Sequence, residues 1–143
     1  MSFSSNSQYK NLTASGNGMQ ANTAEGDFHG QIIAIVDINN PSYPKLKKKI
    51  QIKVEGQNDL FEDLINFNDS TKEDYLKSLG FLQMHTKRAM ISAGMPVNFD
   101  QEVTEDWCET QLNELASKKA TVHFTQKMTA GKTGSSLKID YIK

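Results

Sequence analysis

The hydrophobic period of this chain changes twice, and the order of those periods restricts the fold more than anything else in the sequence. In KLKKKIQIKV, residues 45–54, Ile50, Ile52 and Val54 share one face of an extended segment, while Lys47, Lys49, Gln51 and Lys53 share the other. Residues 28–38 fill both alternations, with Ile32, Ala34, Val36 and Ile38 on one side and Ile33 and Ile35 on the other. Such a strand is buried on both faces, or bends to serve two sheet faces. A third strand is expected over residues 60–67. Asn39, Asn40, Pro41 and Pro44 mark the first connection as a turn, and Gly56, Asn58 and Asp59 mark the second.

Helical spacing then takes over. Ser70 followed by Glu73 reads as a capping box that opens a helix over residues 71–79, with Gly80 as its stop. A second helix is expected over 82–93, ended by Gly94 and Pro96, and a third begins near Thr104. Glu105 and Asp106 suit the first turn of that third helix. Its apolar face carries Cys108, Leu112 and Leu115, with Trp107 alongside as a structural ring. Alternation returns over 120–128, where Val122 and Phe124 oppose Thr121, His123, Thr125 and Lys127, and again over 136–142 with Leu137, Ile139 and Tyr141. A hairpin loop at 130–135 joins the two.

Three strands, helices and two strands are the order of the OB-fold, a five-stranded Greek-key barrel with a helix between strands three and four. The expected class is therefore mainly β: an OB-fold-like barrel with a helical insert over about residues 71–119. A generic α+β sheet under a helical layer is the alternative. Residues 1–25 are rich in Ser, Asn, Gly and Thr and have no apolar period, so a flexible polar tail is expected there and the domain over 26–143.

Composition narrows the function. At 143 residues the chain has room for one domain with a proper core. Its net charge is −1 and its pI about 6.3, so general attraction to polyanions is excluded. One cysteine, Cys108, excludes a disulfide framework and a cysteine-based zinc site. The longest apolar run, 32–36, is strand-sized, which argues against a membrane partner. The first ten residues lack the charged-then-apolar order of a signal peptide, so a cytosolic location is expected.

No enzyme is expected. Gly131, Lys132 and Thr133 suggest a phosphate loop, but Gln126 stands where its first glycine is required, and a strand follows in place of a helix. His29, His85 and His123 have no metal-ligand spacing, and Glu62 and Asp63 point to opposite sides of a strand. Neither cofactor nor metal is implied.

Charge placement points to binding. Lys45, Lys47, Lys48, Lys49 and Lys53 stand against Glu55 alone, whereas residues 59–74 and 100–114 are acidic blocks. A basic strand face opposite an acidic helical layer suits an anionic partner on one side. Single-stranded nucleic acid needs cations and exposed rings on which bases stack. Tyr43, held between Pro41 and Pro44, is the leading exposed ring. Phe124 is assigned to the core, and the faces of Phe61 and Phe67 are left open.

The segments GDFHGQIIAIV, KKKIQIKV, LFEDLINF, SAGMP, ATVHFTQK and SSLKIDYIK, in that order, resemble a family of small phage-encoded proteins of replication and recombination gene clusters. The resemblance spans residues 26–142. It implies an OB-fold that coats single-stranded DNA with little sequence preference, in the cytoplasm of an infected bacterial host. On that reading Lys47, Lys49 and Lys53 neutralise phosphates, Lys127 and Lys132 close the other rim, and Tyr43 stacks on a base. The acidic helices are left for a phage or host replication or recombination protein, or for self-association into a homo-oligomer. The competing expectation is a phage inhibitor module that works through its acidic helical face.

Overall fold

The computed structural model describes residues 21–131 and 134–143; the first twenty residues of the tail expected over 1–25, and the predicted rim residue Lys132, lie outside the described residues. The elements run β1 (Gly26–Asp37), β2 (Leu46–Lys53), β3 (Phe61–Asn66), α1 (Lys72–Ser92), α2 (Glu105–Ser117), β4 (Thr121–Gly131) and β5 (Gly134–Ile142). The five strands form one antiparallel sheet in the order β3-β2-β1-β4-β5. The described residues are thus mainly β with two helices. No helix among the described residues is long and apolar enough to cross a membrane.

β1 serves two neighbours. Its first half pairs with β4 and its second half with β2, and Gln31 lies opposite both Thr121 and Lys53. The chain passes unusually close to β2 here. A Cβ on Gly30 would stand 2.7 Å from Ile52 Cγ2 and 2.8 Å from the Lys53 carbonyl oxygen, so only glycine fits. A β-bulge follows between Ile32 and Ala34. It resets the alternation: Ile32 and Ile35 oppose Ile52 and Ile50, while Ala34 and Val36 oppose Gln51 and Lys49. Strict alternation had put Ile32 with Val36, and the extra residue of the bulge is what separates them.

The core lies between the inner sheet face and the helices. Ile32, Ile50, Ile52, Phe61, Val122 and Phe124 are fully buried. The Phe28, Phe61 and Phe124 rings pack with centroids 4.7–5.8 Å apart. α2 adds Cys108, Leu112 and Leu115, and α1 adds Leu82, Ala89 and Met90. Burial of each large apolar side chain contributes roughly 1.5–3 kcal/mol.

The insert holds two helices where three were expected. Gly80 does not stop the first: α1 runs unbroken through it. A glycine inside a helix costs only about 1 kcal/mol, which the packing of Leu79, Leu82 and Thr86 on either side offsets. The expected Ser70–Glu73 box is displaced by one residue, since Thr71 is the N-cap and its hydroxyl accepts the Asp74 amide at 3.0 Å. Gly94, at φ 84°, ends α1 in the left-handed region, and Lys119, at φ 51°, does the same for α2 without glycine's freedom.

The packed chain also begins before the expected boundary at residue 26. Asn22 is 8% exposed, and its side chain donates to Gln57 Oε1 at 2.9 Å and to the Asp59 carbonyl at 3.2 Å. The buried Gln126 amide donates to the carbonyls of Asn22 and Ala24. Polar composition hid this stretch, because it is held by hydrogen bonds and not by an apolar stripe.

The sheet's outer strands are joined by a carboxylate. Asp63 of β3 is 4% exposed. Its Oδ2 accepts the Tyr141 hydroxyl of β5 at 2.8 Å and lies 3.1 Å from His85 Nδ1 of α1. Burial, then the charge and hydrogen bond of Asp63, hold the Tyr141 phenol well above its usual pKa. The hydrogen bond to Asp63 raises His85 above 6.5, with burial working against it.

A raised histidine pKa favours folding of the protonated form. That contribution is complete below about pH 6.5 and is lost as pH rises through the folded-state value. The melting temperature should therefore fall between about pH 6 and about pH 9, and His85→Gln should fall less over the same range. Replacing Tyr141 by Phe leaves the buried carboxylate one donor short and should lower the unfolding free energy by about 1–3 kcal/mol in urea titration.

Candidate nucleic-acid interface

β2 presents the lysines much as its alternation requires, but their surroundings differ. Ile50 and Ile52 point inward and are fully buried. Lys49 faces outward, yet its ammonium lies 2.7 Å from Glu62 Oε2, and Gln51 Nε2 donates to the same oxygen at 3.1 Å. Lys49 is therefore already ion-paired, which corrects its expected role as an unpaired cation. Glu62 is opposite Gln51 on the neighbouring strand, a register that no single strand reveals. Lys47 and Lys53 are exposed and have no ion pair among the described residues.

Lys48 leaves this face altogether. It lies on the inner side at the rim of the sheet, bonded to Asp37 and, at 3.2 Å, to Glu109 of α2. Burial disfavours its charge, but the two carboxylates outweigh that and raise its pKa. With Asp69 and Glu105 these groups line a cavity of about 540 Å³ between the sheet and the helices. Lys47 lines the same cavity, at an irregularity of the β2–β3 register between Leu46 and Lys48, so two of the lysines border the acidic side.

The β1–β2 turn fixes Tyr43. Asn40 accepts the Ser42 amide through Oδ1 at 2.9 Å and the Tyr43 amide through its carbonyl at 2.9 Å. The Tyr43 carbonyl then accepts the Leu46 amide at 3.1 Å. Tyr43 stands 64% exposed, and Leu64 of β3, opposite Lys49, is 49% exposed. Together with Pro44, Leu46, Lys45 and Asn66 they line an open, largely apolar groove of about 510 Å³. Leu64 was missed in the sequence, where its place between Asp63 and Ile65 gave no sign that it faces outward.

Two predicted site residues lie elsewhere. Lys53 is at the far end of β2, four residues from Lys49, or about 13 Å of extended chain. Lys127 is on the outer alternation of β4, directly opposite Lys138 of β5. Along β1 it is about six residues, roughly 20 Å, from the level of Lys53. The structure therefore places Lys49 opposite Leu64 beside the Tyr43 groove, turns Lys47 to the acidic cavity, and sets Lys127 apart.

Four further rings are structural. Phe61 and Phe67 are buried, which resolves their open orientation, and Phe124 is in the core as expected. Trp107 is half-buried against the core. Cys108 is fully buried, with burial raising its thiol pKa. No cluster of three metal-ligating side chains occurs among the described residues. Lys87 is a buried lysine that sequence reasoning passed over. At 2% exposure it bonds the carbonyls of Phe99 and Gln101 and so ties the α1–α2 connection to α1.

No family model matches the chain, and no curated protein matches its sequence.

The two kinds of ring are separable by experiment. Tyr43→Ala should change stability by no more than about 0.5 kcal/mol. Phe61→Ala should lower it by about 3–5 kcal/mol. Thermal and denaturant unfolding of both variants checks the assignment.

Proposed function

We propose that this protein binds single-stranded DNA, with little sequence preference, on the outer face of β2 and β3 beside the β1–β2 turn. One observation carries the proposal: exposed Tyr43 and Leu64 border an open groove that Lys45 also lines, with Lys49 opposite Leu64 across the strand pair. Bases stack or pack on rings and apolar side chains whatever their identity, and lysines follow the phosphates. Lys45 makes the nearest phosphate contact, Lys53 extends the path along β2, and Lys49 joins only by exchanging Glu62 for a phosphate. Lys127 forms the outer end of the path.

The sheet order, continued through the Asp63–Tyr141 contact between β3 and β5, supports reading the five strands as an OB-type Greek-key barrel. In that fold the face of strands two and three and the adjoining loops bind oligonucleotides. With the resemblance of the segment order, this supports a role in phage replication or recombination in the cytoplasm of the infected host. The activity is binding, without catalysis. An inhibitor module using the acidic helices is less well supported. Of α2's acids, Glu105 accepts Tyr75, Glu109 accepts Lys48 and Glu114 accepts Lys118, all within the chain.

Fluorescence anisotropy with an oligo-dT and a hairpin duplex of equal length tests the proposal. The single strand should bind more tightly, and equal or tighter duplex binding would overturn it. Each phosphate contact adds about 0.7 to the slope of log affinity against log salt, so Lys45→Ala with Lys53→Ala should flatten that slope by about 1.4. Lys49→Ala should change it less than either. Tyr43→Ala should cost about 1–3 kcal/mol of binding, and Tyr43→Phe little.

A further inference from the structure

The solvent side of α1 carries large apolar side chains among its charged ones. Leu76, Phe81 and Met84 are 56%, 61% and 40% exposed. The opposite side of the same helix buries Leu82, Thr86 and Ala89. Leu76, Gly80 and Met84 are spaced by four, and Phe81 stands beside them, so they form one stripe. Exposed apolar side chains gathered in this way mark an interaction surface.

Gly80 adds a second observation. A glycine weakens an exposed helix, and here it relieves no crowding, because a Cβ at Gly80 would meet no atom within 4 Å. Its effect is a hollow in the middle of the stripe, next to the ring of Phe81. Charge supplies a third. Glu73 lies near one end of the stripe and Arg88, the chain's one arginine, near the other. Both are exposed, and neither has an ion pair among the described residues.

We propose that α1 is a self-association surface through which two copies pair as antiparallel helices across a two-fold axis. With the axis between Gly80 and Phe81, the Phe81 ring enters the hollow at Gly80 of the partner subunit. Arg88 then meets Glu73 of the partner subunit, and Met84 lies along the stem of the partner subunit's Lys77. Two-fold symmetry makes each contact twice, so one patch is complementary to itself. Other occupants of the stripe match it less well, because hollow, ring and both charges are satisfied together only by a second α1. A pair of single helices is a small interface, so the dimer forms in about the micromolar range. The proposal does not rest on nucleic-acid binding, since β2, β3 and Tyr43 take no part in it.

Sedimentation equilibrium of the full chain, without DNA, over concentrations up to about 1 mM tests it. The mass should rise from 16.0 kDa toward twice that value. Phe81→Glu should weaken association by at least about tenfold. Gly80→Gln should do the same by filling the hollow, while its melting temperature does not fall, because Gln is the better helix former. Glu73→Arg and Arg88→Glu should each weaken the dimer, and the two together should restore it. A mass of 16.0 kDa at every concentration, or a dimer indifferent to Phe81→Glu and Gly80→Gln, overturns the proposal. Failure of the double reversal to restore association overturns the antiparallel arrangement.

Discussion

Asp63 occupies the position on which the rest of the structure depends. The sheet has two outer strands, β3 and β5, and an open sheet leaves both with unpaired edges. The Asp63 carboxylate, nearly buried, takes the Tyr141 hydroxyl from β5 and faces His85 from α1. One side chain thus draws the two edges toward each other and fixes α1 over them. A buried carboxylate is expensive unless its lone pairs are used. The geometry is therefore binding in both directions: β5 and α1 must be in place for Asp63 to be tolerated, and Asp63 orients them. The adjacent Glu62, one residue earlier, faces outward to Lys49 and Gln51. The contact between the two outer strands and the electrostatics of the proposed binding face are consequently set by neighbouring residues of one strand.

That proximity explains the distribution of charge. Five lysines lie in residues 45–53, but the structure sorts them into three kinds. Lys48 turns inward and is held by Asp37 and Glu109, binding the sheet edge to α2. Lys49 is balanced across the strand pair by Glu62. Lys45, Lys47 and Lys53 remain exposed. The positive potential of this face is thus smaller than a count of lysines implies, and it is concentrated near the β1–β2 turn and at the far end of β2. The Lys49–Glu62 pair is partly buried, with Gln51 donating to the same carboxylate oxygen, so Lys49 reaches a phosphate only by giving up that pairing.

The elements that were legible in the sequence were those with a strong local period. Residues 46–54 and 120–128 alternate cleanly and became β2 and the greater part of β4, with Ile50, Ile52, Val122 and Phe124 inside as expected. Tyr43 was legible because two prolines isolate it in a turn. What failed was anything decided by a partner remote in the chain. The bulge after Ile32 depends on how β1 divides its pairing between β2 and β4. Gly80 reads as a stop until the packing of Leu79 and Leu82 is known. The burial of Asp63, the outward face of Leu64, the neutralisation of Lys49 and the anchoring of Asn22 all follow from cross-strand or loop contacts, none of which leaves a periodic trace. Lys127 was grouped with Lys47 by charge alone, and register separates them.

The two proposed surfaces use different parts of the fold, and their combination has a geometric consequence. A two-fold pair through α1 presents two β2–β3 faces related by a half-turn. Single-stranded DNA has a direction, and a face that binds it by ordered stacking and phosphate contacts binds it in one polarity. The two faces of such a dimer therefore run opposite ways. One strand can occupy both only by turning back between them, whereas two antiparallel strands occupy them without distortion. Linking the faces raises the effective concentration of the second binding event when the spacing suits the nucleic acid. A dimer of this kind is thus suited to bringing complementary strands together, and its geometry does not extend into the continuous head-to-tail array that coats a single strand. Whether coating or pairing dominates is governed by the affinity of the α1 contact relative to the local protein concentration on DNA, which ties the role of the binding face to an interface that never touches the nucleic acid.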